Sequence, residues 1–300
     1  MTRREGGATA RMTRLSADSL PSCLGDLSRP VAGLWYLGDP GALTDAPRRH
    51  VAIVGTREAS PYGIRVAERL ATGCARAGLV VVSGLARGVD AAAHRAALAA
   101  GGTTIGVQGT GVDVPYPASH RALHAALCRD GAVISEMEPG TPATPGCFPR
   151  RNRNIAALSQ VIVVVEAGYK SGAINTASQA LELGRTVAAV PGRIDEERAR
   201  GSNGLIRDGA QVICDVEDLL GLFGLSTSGS SAFGPPGIAA AGGRWNAGNL
   251  PDEAAFPGGL SADQPPEEDV SFRRYAEELL GGELSGRISR DGLAYSAAGQ

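Results

Sequence analysis

Between residues 51 and 214 the chain repeats one pattern: a short run rich in β-branched residues, a turn containing glycine or small polar residues, and a stretch with helical spacing. Neighbouring parallel strands need a crossover of a dozen or more residues, and a helix is the common solution. The repetition therefore restricts the fold to the α/β class, a parallel-rich sheet flanked by helices. Strands are expected at 51–54, 79–82, 103–107, 132–135, 160–166, 186–190 and 211–214. Helices are expected at 63–77, in the segment ending at residue 100, at about 118–129 and at 173–184. The strands end in Gly55-Thr56-Arg57, Ser83-Gly84-Leu85-Ala86-Arg87-Gly88, Gln108-Gly109-Thr110-Gly111 and Pro191-Gly192. In an open parallel sheet these carboxyl ends form the ligand crevice, and glycine there lets a phosphate approach backbone N–H groups.

A second feature names the chemistry of that crevice. Phe148-Pro149-Arg150-Arg151-Asn152-Arg153-Asn154-Ile155 packs three arginines into four positions in a loop just before an apolar helical segment. A helix start already carries unpaired N–H groups and a partial positive charge, so added guanidinium groups repel one another unless a polyanion passes by. Pro149 fixes the entry, Asn152 is positioned to cap the segment, and Ile155, Ala156 and Leu158 bury its other side. The bland alternative is a solvated helix face. The ordered edge favours an anion site. Lys170, the single lysine of the chain, stands in Gly168-Tyr169-Lys170-Ser171-Gly172 after the next strand and reads as a second lobe of the same site. Phe148 and Tyr169 are the nearby aromatics suited to stacking on bases, with core packing an equal reading for Phe148.

Composition sets bounds on the rest. The net charge is −2, which argues against a generally basic nucleic-acid binder. Its distribution is uneven, with 17 basic and 16 acidic side chains in 51–223 but 5 and 10 in 224–300. A local basic groove in the middle remains compatible with the acidic total. Cys23, Cys74, Cys128, Cys147 and Cys214 are odd in number and lack metal-ligand spacing, so reduced thiols, mostly small buried residues, are expected. No apolar stretch reaches membrane-spanning length, and Met1-Thr2-Arg3-Arg4-Glu5 precedes no apolar leader segment, which points to a soluble, cytoplasmic protein. No cofactor and no metal site is expected.

Catalysis would need an activated nucleophile, a metal or a tuned acid–base pair. Asp90 and His94, four residues apart, are the best candidates, but a helix-dipole role for Asp90 and a buried polar partner for His94 explain them as well. Glu136 and Glu166 end strands near the crevice and are expected to orient the arginines.

Val51 to Arg57, Ser83 to His94, Gly109-Thr110-Gly111 with Tyr116-Pro117, Ser135-Glu136, Phe148 to Leu158, Ser171-Gly172 with Thr176-Ala177, and Pro191-Gly192 with 201–210 together resemble, in order, the DNA-processing protein A (DprA/Smf) family. The resemblance covers about residues 21–222. It implies an extended Rossmann-like domain that binds single-stranded DNA, forms homodimers and helps load the RecA recombinase on incoming DNA in natural transformation, without catalysis. It places Gly55, Arg57, Ser83, Gly84, Arg87, Gly88, Gly109, Arg151, Asn152, Arg153, Lys170, Ser171, Gly172 and Thr176 at the nucleic acid. Two departures, Asn154 in place of an apolar residue and Ala173-Ile174-Asn175 in place of Ser-Leu-Ile, bear on the shape of the groove. The alternative is a nucleotide-binding or nucleotide-hydrolysing Rossmann-like protein. Such proteins carry a Pro-Gly-Gly-x-Gly-Thr loop, where this chain has Lys170-Ser171-Gly172-Ala173. A duplex-reading transcription factor would require an intact helix-turn-helix.

The expected organisation is a lead-in at 1–50, too short for the family's full N-terminal helical module, then the DNA-binding domain at 51–223. A Gly-, Ser-, Ala- and Pro-rich flexible linker at 224–268 and an eroded winged-helix remnant at 269–300 follow, leaving a mostly disordered C-terminal tail.

Overall fold

The computed structural model describes residues 12–39, 41–44, 50–144 and 146–225; the expected linker beyond residue 225 and the winged-helix remnant lie outside them. The strands are β1 (Thr13–Ser16), β2 (Gly33–Gly38), β3 (His50–Val54), β4 (Val80–Ser83), β5 (Thr104–Val107), β6 (Ala132–Ser135), β7 (Val161–Val164), β8 (Thr186–Ala189) and β9 (Gln211–Val212). The helices are α1 (Gly41–Thr44), α2 (Pro61–Arg76), α3 (Val89–Ala99), α4 (Arg121–Asp130), α5 (Cys147–Leu158), α6 (Gly172–Glu182), α7 (Arg200–Arg207) and α8 (Val216–Gly221).

All strands join one sheet in the order β1-β2-β6-β5-β4-β3-β7-β8-β9. The seven from β6 to β9 are parallel, while β2 pairs antiparallel with both β1 and β6. Residues 13–38, read from sequence as lead-in, thus extend the sheet by two strands. The α/β class and the parallel-rich sheet are as the sequence pattern indicates.

Both faces of the sheet are covered, so its central strands are apolar on both sides. Val51, Ile53, Val81, Val161, Val163 and Val165 enter a core with Leu70 and Cys74 of α2, Ala92 and Ala96 of α3, and Leu219 and Leu220 of α8. The alternating Ala52, Val54, Val82, Ile162 and Val164 are equally buried on the opposite face. There α5 packs against α6 and across β3, β4 and β5. Successive connections run one way from β3 through β4 and β5 to β6, and the other way from β7 through β8 to β9. The boundary between β3 and β7 is the topological switch point, where loops at the carboxyl ends diverge and leave a crevice.

Local chemistry fixes the helix starts around that crevice. Ser60 Oγ accepts from Gly63 N at 3.0 Å with Pro61 at the first helical position of α2. Ser171 Oγ accepts from Ile174 N at 3.3 Å at the start of α6. All five cysteines are free thiols. Cys74 is buried, and burial pushes its thiol up to about 12. Cys214, expected to be buried, is exposed just past β9.

Candidate nucleic-acid interface

The arginine run is not a loop ahead of a helix. It lies inside α5, whose first turn begins at Cys147 and accommodates Pro149. Asn152 is therefore an internal residue and not a cap. At 3.6 residues per turn, residues three or four apart share a face, so the helix sends neighbouring side chains in different directions. Arg150 and Arg153, three apart, both reach Glu136, at 3.0 Å and 2.7 Å, and Asn154 Nδ2 donates to the same carboxylate at 2.8 Å. Arg153 also donates to the backbone oxygen of Arg29, tying α5 to the segment between β1 and β2. Asn152 Nδ2 donates to Gly172 O and to Asn175 Oδ1, both at 3.2 Å, joining α5 to the start of α6. Phe148 and Arg151, again three apart, face the crevice.

Beside the switch point, over the carboxyl ends of β3, β4 and β5, lies a pocket of about 190 Å³ lined by Arg57, Gly84, Ala86, Arg87, Gln108, Gly109, Tyr116, Pro117, Ser119, Phe148 and Arg151. Three guanidinium groups from three chain segments therefore meet in one cavity. Arg57 and Arg87 are exposed, whereas Arg151 is only 7% exposed. Its Nε is buried without a hydrogen-bond partner. Burial disfavours the charge of Arg151, Asp90 nearby supports it, and Arg57 opposes it. A Cβ built on Gly84 would stand 1.4 Å from Arg151 Nη1, so only glycine leaves room for the guanidinium. The Arg57 guanidinium lies 5.4 Å from the centre of the Phe148 ring, which in turn stands 5.3 Å from the Tyr116 ring. Phe148 thus lines the pocket while packing on its aromatic neighbour. Tyr116, 41% exposed at the pocket edge, carries no sequence signal beyond the Tyr-Pro element after Gly109-Thr110-Gly111.

The loop amides have a different job from the one their glycines suggest. Gly84 N and Ala86 N both donate to Asp90 Oδ2, at 3.1 Å and 3.4 Å. Leu85 between them has φ +57°, a conformation uncommon outside glycine, and it turns the two N–H groups toward one oxygen. The concave arrangement that elsewhere holds a phosphate here holds a carboxylate of the same chain. Thr56 N likewise donates to Glu166 O at 2.6 Å. These amides are thereby taken up within the chain, and what the pocket presents is its guanidinium groups.

The remaining expected site residues fall into two groups. Gly109 lines the pocket. Gly55 serves packing, since a Cβ there would lie 2.6 Å from Val89 Cγ2. Gly88 has φ +75° and sits under Thr56 O, 2.3 Å from where a Cβ would be. Ser83 is fully buried, and its Oγ donates to Ile53 O at 2.7 Å. At the expected second lobe, Lys170 is exposed, Ser171 caps α6, and the buried Thr176 Oγ1 donates to Gly172 O at 3.0 Å; none of these four residues lines the pocket. The structure thus brings Arg57, Gly84, Arg87, Gly109 and Arg151 together. It places Ser83, Gly88, Arg153 and Thr176 in supporting contacts.

Glu136 orients Arg150 and Arg153, as expected. Glu166 does not meet an arginine: its carboxylate accepts from Ser60 N at 2.9 Å and from Ser60 Oγ, anchoring the start of α2. His94 is fully buried against Thr104 Oγ1 at 2.7 Å, and neither it nor Asp90 lines the pocket. Burial, with Arg151 adding to it, drives the His94 imidazole down to about 3.

The fold and site together define a doubly wound α/β protein with an arginine-lined pocket over the carboxyl ends of β3, β4 and β5. The chain belongs to the DNA recombination-mediator protein A family, whose sequence profile matches residues 11–224. It is 45% identical over 191 residues to a putative DNA processing protein DprA of Mycobacterium tuberculosis, covering 64% of this chain and 49% of that one. It is 39% identical to DNA processing protein DprA of Bacillus subtilis, with 68% of each chain covered. The chain spans about half the length of the mycobacterial relative. Among solved structures, DNA processing protein A of Streptococcus pneumoniae superposes with a TM-score of 0.66 at 37% identity, covering 71% of this chain and 75% of that one. DNA processing protein A of Helicobacter pylori, whose structure is described for a unique single-stranded DNA binding mode, superposes with a TM-score of 0.64 at 31% identity, over 71% and 95% of the two chains. No helix among the described residues is long and apolar enough to cross a membrane.

Proposed function

We propose that this chain binds single-stranded DNA through the Arg57–Arg87–Arg151 pocket, with Lys170 extending the path along the start of α6. The observation that carries the reading is Arg151, a buried guanidinium whose Nε lacks a partner, opening into a cavity that already holds two more cations. A buried charge in that condition gains most from a bound anion. The exposed Tyr116 edge beside Phe148 offers bases a stacking surface, which an unpaired strand presents and a duplex hides. Kinship with the H. pylori protein supports the same ligand. The family's recombination-mediator description supports a role in loading a RecA-type recombinase, and the resemblance extends the proposal to a cytoplasmic homodimer acting in natural transformation.

Competition between an oligo-dT and the matching duplex at moderate salt tests the ligand. Single strands should win severalfold, and Arg57→Ala should weaken every oligonucleotide alike while lowering the salt slope by about one counterion. Equal affinity for the two forms would overturn the reading. Acceleration of recombinase filament assembly on single-stranded DNA tests the mediator role, and light scattering tests the dimer.

A further inference from the structure

The pocket has a floor and a rim. Arg151 forms the floor, seated on Gly84 with its side chain withdrawn from solvent, while Arg57, Arg87 and Tyr116 stand exposed at the rim. With a volume of about 190 Å³ it lies below the size of ordinary ligand clefts and suits a single phosphate-bearing unit. We propose that it receives the end of a DNA strand: a terminal phosphate monoester enters head-first, and the attached base lies against the Tyr116–Phe148 pair. The proposal rests on the single-strand reading above and narrows it.

Two physical arguments separate an end from the middle of a strand. The first is shape. An internal phosphodiester carries a nucleotide on each side, so both flanks must descend with it to bring its oxygens to Arg151. A terminal phosphate has one substituent and can enter with the chain trailing out past the aromatic rim. The second is charge. A diester brings one negative charge, whereas a monoester carries about −1.5 to −2 near neutral pH and three acceptor oxygens. Three guanidinium groups face the cavity, and Asp90, the carboxylate acting on Arg151 from outside the lining, offsets one of their charges while it accepts from Gly84 N and Ala86 N. The cavity therefore holds more positive charge than a diester neutralises. The Asp90 carboxylate already fills the nest of amides beside it, so incoming phosphate oxygens are left to the guanidinium forks, which suit bidentate contacts.

The test uses the 300-residue chain and four unlabelled competitors of one length against an internally labelled oligo-dT: 5′-phosphorylated, 3′-phosphorylated, unphosphorylated linear, and circular single-stranded dT. One of the two phosphorylated strands should compete about tenfold better than the unphosphorylated and circular ones, the gain expected from one added charge-assisted contact. The strand that responds identifies the end. Arg87→Gln, a change at an exposed side chain without folding cost, should bring that ratio toward one, as should Arg151→Gln if it folds. Equal competition by all four DNAs overturns end recognition and leaves single-strand binding intact. A tenfold preference that survives Arg87→Gln moves the phosphate elsewhere and also overturns it. Displacement by free thymidine monophosphate as effective as by the phosphorylated strand would make the occupant a nucleotide rather than a strand end. If no oligonucleotide competes, the single-strand reading itself fails.

Discussion

Arg151 and Arg153 are two positions apart in the chain and opposite in role. Arg153 is held by Glu136 and by the Arg29 carbonyl, so its charge is already spent inside the protein. Arg153→Ala should therefore lower stability by about 1–3 kcal/mol, measured by urea unfolding, and leave the salt slope of DNA binding unchanged. A slope reduced by a full counterion would show that Arg153 leaves Glu136 for phosphate. His94 gives a second residue-level expectation. Its folded pKa of about 3 lies below the ordinary 6.5, so the unfolded chain takes up the proton more readily. The stability tied to neutral His94 is complete above pH 6.5 and is lost as pH falls from there toward 3, about 2 kcal/mol by pH 5. His124, also lowered mainly by burial, works in the same direction. Unfolding midpoints at pH 7 and pH 5 should fall closer together in His94→Gln than in the parent, whatever the variant's absolute stability; an unchanged gap would mean that His94 is already solvated in the fold.

At the level of elements, the starts of α2 and α6 show how side chains set the geometry of the crevice. Ser60 caps α2 and is itself gripped by Glu166 from the end of β7, so one carboxylate fastens a helix to a strand at the switch point. Glu166→Gln turns one accepting oxygen into an N–H₂ group facing donors and should cost about 1–3 kcal/mol in urea unfolding, whereas Ser171→Ala at α6 should cost about 1. A wild-type midpoint for Glu166→Gln would show that the clasp carries no stability. The strands from β3 to β8 were legible in the sequence because runs such as Val161-Ile162-Val163-Val164 suit little besides a doubly covered strand. β1 and β2 were not. Thr13-Arg14-Leu15-Ser16 is short and mostly polar, and its partner β2 begins and ends in glycine, so the pairing is set by the register with β6 rather than by local preference. The arginine run was legible as basic and helix-associated. Its division among Glu136, α6 and the pocket depended on where α5 begins, and Pro149 suggested an entry point two residues too late. The use of the Gly84 loop amides by Asp90 was hidden because a phosphate nest and a carboxylate nest share one glycine-rich spelling.

For the whole molecule, the family match ends at residue 224 and the compact unit that holds every described residue ends at Ser226. A protein comprising residues 1–225 should keep the thermal midpoint and the oligo-dT affinity of the full chain, or bind slightly tighter once the ten acidic and five basic side chains of 224–300 are removed. Insolubility or loss of binding would show that the remainder is needed by the core. Within that core, the central neighbours are distant in sequence: Val51 of β3 pairs with Val161 of β7, and Trp35 of β2 with Ser135 of β6. During synthesis on the ribosome, β3 emerges long before β7 and waits with one hydrogen-bonding edge uncovered, while the face that α5 covers stays open across β3, β4 and β5. Sheets of such high contact order fold slowly and expose aggregation-prone edges while they wait. The pocket shares this timing, since Arg57, Arg87 and Arg151 meet only after α5 has been made and has docked, so a nascent chain has no assembled DNA site to offer until its core is nearly closed.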